Sequence, residues 1–238
     1  MRNLLLIILL AVMICHTAGA QPAHNVRFYQ NFLTIKDVFA TQDGGFAVCG
    51  FTQNRHGYVA KLDENGEVEW TLVLEYEEFP NSLIETDLGE ILVGGQGNGF
   101  TAILIDPEGD LIWRRHYGRP GRCFAVIELK SSEFALAGDM MGQGGPPSRG
   151  ILMITDREGE PIWTWSNDDN PPRSADSRIS AMRETELGIL TVGSRDEEGQ
   201  GLPNHHGWIQ LIDFEGEQVS IPLHHFHQVW LHIRVYFV

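Results

Sequence analysis

One pattern recurs four times along this chain and limits what it can fold into. Residues Gly57–Trp70, Phe100–Trp113, Gly150–Trp163 and Gly207–Val219 each run through an apolar stretch, an Asp-x-x-Gly turn and a second short apolar stretch. The turns are Asp63–Gly66, Asp106–Gly109, Asp156–Gly159 and Asp213–Gly216; in the first three a tryptophan follows four residues after the glycine, at Trp70, Trp113 and Trp163. A unit repeated at this period cannot bury its apolar face alone and must stack on its neighbours.

Each copy reads as a hairpin. Aspartate at the first turn position accepts backbone N–H groups, and glycine three residues on takes the positive-φ position that closes a short loop. Calcium is the competing use of such an aspartate, but Asp-x-x-Gly lacks the alternating oxygen ligands and the distal glutamate of a calcium loop. A second hairpin precedes each copy: Val38–Thr41 with Phe46–Gly50, Ser82–Thr86 with Glu90–Gly95, Ala125–Leu129 with Phe134–Gly138, and Ile179–Arg183 with Ile189–Gly193. Each unit is therefore four short strands between Gly/Asp turns. The tryptophans are spaced by 43 and then 50 residues, the size of a propeller blade. The chain is expected to be all-β: a β-propeller of four-stranded antiparallel blades, with four blades, five as the alternative, or part of a larger propeller. The repeat units are placed at about 37–80, 81–122, 123–177 and 178–223, with an irregular tail at 224–238.

The spacing grows because one connection lengthens, Asp139 to Arg149 in the third unit and Ser194 to His206 in the fourth. These are read as long loops on one face, where function tends to sit. The recurring tryptophans are expected to pack between neighbouring blades, each N–H finding a partner. Trp165 and Trp208 lie off the repeat mark and are freer to meet a ligand.

These marks resemble secreted bacterial β-propeller repeat proteins of the quinoprotein-like (PQQ-like) group, whose blades take the form D-G-G-F…G…V-K-L-D-x-x-G-x-x-x-W. The likeness covers residues 37–219. It implies blades and export. The turn here is one residue shorter than the group's tryptophan-docking motif, and Lys61, Leu104 and Thr155 replace its usual alanine. The resemblance therefore implies architecture and no quinone cofactor.

The N-terminus predicts a cleaved signal peptide over residues 1–20: Arg2, an apolar core from Leu4 to Ile14, and Ala18-Gly19-Ala20 before Gln21. The mature domain, residues 21–238, is then secreted or periplasmic and does not span a membrane. The full chain carries a formal charge of −15, which repels nucleic acid and anionic lipid. Cys49 and Cys123 are read as buried free thiols, with a disulfide as the alternative in an oxidising compartment. A propeller must also cover its edge strands. Asn25–Leu33 is a candidate outer strand, and Val229–Val238 is either a closing strand or the stub of further blades.

Catalytic motifs are missing: no HExxH, Walker loop or G-x-S-x-G occurs. The glycine-rich Gly138–Gly145 leads into Pro146-Pro147 and not a helix, and Asp168-Asp169-Asn170 reads as a turn. No metal site is expected; the candidates to test are His205, His206, His225 and His227, since imidazole suits zinc or copper. The expected function is a non-enzymatic module that binds a protein, peptide or glycan by its loop face. The alternative is a channel-face enzyme of quinoprotein or glycan-cleaving type.

Overall fold

The computed structural model describes residues 34–118, 120–142, 145–167, 176–197 and 204–219. The expected signal peptide, the tail from 220 onward with His225 and His227, and Asp168–Asn170 lie outside the described residues. Among the described residues, sixteen strands account for the regular structure. The first eight are β1 (Thr34–Ala40), β2 (Phe46–Phe51), β3 (His56–Leu62), β4 (Val68–Tyr76), β5 (Phe79–Glu85), β6 (Ile91–Gly97), β7 (Gly99–Ile105) and β8 (Leu111–His116). They are followed by β9 (Gly121–Glu128), β10 (Phe134–Gly142), β11 (Gly145–Thr155), β12 (Pro161–Ser166), β13 (Ser177–Thr185), β14 (Gly188–Glu197), β15 (Asn204–Ile212) and β16 (Gln218–Val219). Four antiparallel sheets of four strands follow one another in chain order, each an up-and-down meander.

Consecutive sheets stack face on face, and their first strands β1, β5, β9 and β13 lie against one another. The middle strands of the second and third sheets are covered on both sides, so their sequences are near-continuous apolar runs rather than alternating ones. Ile91 and Val93 point into the seam with the first sheet, beside Cys49, Val59 and Ile103. Leu92 points the other way, into the seam with the third sheet, beside Phe100, Cys123 and Phe134. The seam between the third and fourth sheets holds Ala135, Leu152, Ile154, Ile179 and Ile212. Cys49 and Cys123 are free and occupy different seams. Burial pushes both thiols up, Cys123 to about 12, so both stay protonated.

The Asp-x-x-Gly turns work as read from the sequence. In all four, the aspartate Oδ1 accepts the backbone N–H four residues on, at 2.7, 2.7, 2.7 and 2.8 Å. The turn glycine takes φ values of 77, 95, 77 and 89°. Another glycine recurs for a different reason. A Cβ on Gly50, Gly138 or Gly193 would lie 1.9 Å from the carbonyl oxygen of Thr34, Arg122 or Arg178. There each first strand bulges toward the second, with register shifts at Ile35/Asp37, Ala137/Gly138 and Ile179/Ala181.

The two long connections differ from the loops expected. They continue the blade strands as paired hairpin arms. Met140 pairs with Arg149 and Met141 with Ser148, while Asp196 pairs with His205 and Glu197 with Asn204. Pairing satisfies backbone groups that a loop would leave to solvent. The prolines concealed this: Pro146 and Pro147 fall within the register shift, where no ladder N–H is needed.

Candidate functional site

The blades have two unlike ends. One carries the turns between first and second strands and between third and fourth strands. At this end Trp70 Nε1 donates to Pro107 O at 3.0 Å, and Trp113 Nε1 donates to Arg157 O at 2.7 Å. Each acceptor belongs to the Asp-x-x-Gly turn of the following blade. The ring rests on that turn's glycine: a Cβ on Gly109 would come within 2.7 Å of Trp70, on Gly159 within 3.1 Å of Trp113, and on Gly216 within 3.2 Å of Trp163. The tryptophans are therefore seam residues, and each turn glycine is needed both for its φ and for its bare surface.

A second bond recurs that the sequence reading overlooked. Gln42 N donates to Glu85 Oε2 at 2.6 Å, Asp87 N to Glu128 Oε2 at 2.6 Å and Lys130 N to Glu184 Oε2 at 3.0 Å. Each glutamate stands near the end of a first strand and holds the preceding blade's turn. Its recurrence at the same place in three hairpins was the available signal. Arg157 adds to the second seam, pairing with Glu90 and Glu128 and lying 5.1 Å from the Phe134 ring centroid. Burial opposes its charge, but the two carboxylates prevail and raise its pKa.

The opposite end carries the arms, which only the third and fourth blades have. Arg122 on β9 is ion-paired with buried Asp139 and lies 5.1 Å from the Phe124 ring centroid. Asp176 accepts both the backbone N–H and the hydroxyl of Ser148 at the base of the first arm, at 2.6 and 3.0 Å. Arg178 on β13 donates to Ser194 Oγ at 3.1 Å and is exposed. Ser177 Oγ accepts from Gly150 N at 2.9 Å and exchanges hydrogen bonds with Asn167, fixing the third blade to the fourth. Trp165 and Trp208 are half-buried neighbours. Their ring centroids are 6.4 Å apart and both pack on the third seam.

His205 and His206 occupy successive positions of β15, paired in register with Asp196 and Arg195. Among the described residues, no group of three or more His, Cys, Asp or Glu side chains is placed to hold a metal. A second buried carboxylate, besides Asp139, is Glu78 at the first seam. It accepts from Glu75 N at 3.0 Å and lies 3.3 Å from Arg114 Nε and 3.7 Å from His116 Nε2. The cavity it borders, about 10 Å³, has room for roughly one water and none for a sugar or quinone.

No protein-family model and no curated protein matches this chain. Solved structures do. The WD40 domain of Pan2 from Neurospora crassa aligns with a TM-score of 0.50 at 13% identity, over 78% of this chain and 64% of that one. BamB from Moraxella catarrhalis aligns at 0.48 and 12% identity, over 76% of this chain and 54% of that one. A protein of unknown function from Bacteroides caccae aligns at 0.39 and 12% identity, over 82% of each chain. The chain thus spans about half the length of BamB and under two thirds of the Pan2 domain. With its four meander sheets, the chain has the β-propeller fold, with four blades among the described residues. Among the described residues no helix is long and apolar enough to cross a membrane.

Proposed function

We propose that this chain is an exported β-propeller module that binds a protein or peptide through the arm end of its third and fourth blades. One observation carries the reading: the two ends spend their polar groups differently. At the turn end, indole N–H groups and glutamates are consumed by bonds between blades. At the arm end, two paired hairpins extend beyond the blades beside exposed Arg122 and Arg178. Paired arms present backbone and side chains at lower entropic cost than open loops, which favours recognition. The fold by itself does not select a function, so the argument rests on this asymmetry.

Export rests on the N-terminal pattern and predicts that the mature protein begins at Gln21. Mass spectrometry of exported protein checks it; intact Met1 material held in the cytosol defeats that half of the proposal. Binding is checked with a photo-crosslinking residue placed at Arg178 on the arm end or at Glu108 on the turn end, in protein exported by the cell. Peptide-bearing adducts should form at Arg178 and not at Glu108. Equal labelling at both, or adducts carrying only carbohydrate, would reject a protein partner at this site.

A further inference from the structure

We propose that the arm end of the third seam holds a carboxylate of the bound polypeptide, gripped by Arg195 and the indole N–H of Trp208, a proposal that rests on this end binding a protein or peptide. Register places the two residues together. On the fourth blade Arg195 lies opposite Ser177, and Gly193 lies between Trp208 and Ile179. Strand residues directly opposite one another share a face. Ser177 Oγ accepts Gly150 N across the third seam, and Ile179 and Trp208 pack into that seam, so Arg195 faces the third blade as well. Arg195 and Trp208 are diagonal neighbours on adjacent strands, a separation that long side chains span.

Trp208 departs from the tryptophans of the turn end. Trp70 and Trp113 rest on a glycine of the neighbouring blade and give their N–H to a carbonyl of the same turn. Trp208 also rests on a glycine: a Cβ on Gly150 would lie 3.4 Å from Cζ2, on the N–H edge of the ring. The carbonyl of that glycine, however, already accepts Asn167 N at 3.2 Å. Trp208 Nε1 is enclosed and has no acceptor among the described residues, and the same holds for Arg195 Nε. Enclosed N–H groups without an acceptor are rare in native proteins. Two of them on one face mark a place that receives an acceptor from outside the chain.

Charge selects the acceptor. The chain has 32 Asp and Glu against 17 Lys and Arg, and Arg55, Arg114, Arg115, Arg122 and Arg157 all have carboxylate partners. Arg178 and Arg183 have none among the described residues but stay exposed. Arg195 has none either, and no bond to a described residue holds its side chain, so turning the guanidinium toward a ligand breaks nothing. Its fork matches a carboxylate. A single cation suits a monoanion, whereas phosphate recognition draws on clusters of arginine. Half-buried Trp165, 6.4 Å from Trp208 between ring centroids, adds apolar surface beside the charge. Tryptophan and arginine are the residues on which interface affinity concentrates.

A random peptide library panned on the exported full chain tests the proposal. Captured peptides that crosslink at Arg178 should lose binding when a carboxylate is converted to its amide. Amidating the C-terminus in one series and replacing Asp or Glu by Asn or Gln in another tells the two sources of carboxylate apart. Arg195→Gln should weaken these peptides by about tenfold or more and leave the unfolding midpoint unchanged, since its side chain gives up no bond. In the parent, the indole N–H resonance that Trp208→Phe removes should shift as such a peptide is added. Peptides that bind Arg195→Gln as tightly as the parent, that tolerate loss of every carboxylate, or that millimolar inorganic phosphate displaces would overturn the carboxylate site while leaving peptide binding at this end standing. Capture of no peptide would overturn both.

Discussion

The two ends of the same blades teach opposite lessons about a repeat protein. At the turn end the same contacts recur from blade to blade: tryptophan on glycine, N–H to carbonyl, turn amide to glutamate. At the arm end the connections do not recur. The first and second blades close with tight connections of residues 52–55 and 98, while the third and fourth grow arms, with Arg122 on buried Asp139 at the base of one and Arg178 on Ser194 at the base of the other. Repetition thus marks what holds the stack together, and departure from it marks where the stack meets something else.

That contrast can be broken by substitution. The largest loss is expected for Trp113→Ala, about 3 kcal/mol or more from the vacated ring space and the lost bond to Arg157 O. Trp113→Phe should keep most of the packing and lose about 1 kcal/mol through the missing N–H. Urea denaturation measures both, and equal losses would mean that the hydrogen bond, not the ring, carries the seam. Next comes Gly109→Ala. It adds backbone strain at φ 95° and a Cβ 2.7 Å from the Trp70 ring, for about 2–4 kcal/mol. Gly44→Ala shares the strain at φ 90° but has nothing within 4 Å, so about 1 kcal/mol is expected. Similar losses at the two glycines would show that the bare surface under tryptophan is unimportant. Glu128→Gln, which weakens the hold on Arg157 and on Asp87 N, should cost about 1–2 kcal/mol.

The smallest effect is on pH dependence. Hydrogen bonds from Lys61, Thr41 and Gly45 N hold the Asp43 carboxyl well below the usual carboxylate range. A depressed carboxylate stabilises the fold at neutral pH, and that contribution disappears as pH falls through the folded-state value. Because Asp43 is largely exposed, solvent screening limits the gain to roughly half a kcal/mol. Asp43→Asn should flatten the acid limb of a stability–pH curve slightly and leave the neutral plateau nearly unchanged.

The seams were largely legible in the sequence. Asp63, Gly66 and Trp70 and their repeats fix both turn and packing by residue type alone, since few other residues tolerate a positive φ beneath an indole ring. Glu85, Glu128 and Glu184 were visible too, but a glutamate at a strand end looks like any solvated acid until the neighbouring blade is in place. The arms were not legible. Pro146 and Pro147 announced a loop, and only the register showed a ladder passing around them. Trp165 and Trp208 sit off the repeat because they serve the third seam at its arm end, where the repeat no longer dictates identity.

The most direct test of the division between seams and arms is to shorten one arm, replacing residues 196–205 of the β14–β15 hairpin with Asn-Gly, and to measure the unfolding midpoint and the crosslink yield at Arg178 together. The account predicts a midpoint within about 2 °C of the parent, as ~0.5 kcal/mol would give in a domain of this size, and a crosslink yield reduced at least tenfold. A midpoint that falls as far as that of Trp113→Ala, or a yield that does not change, would contradict it.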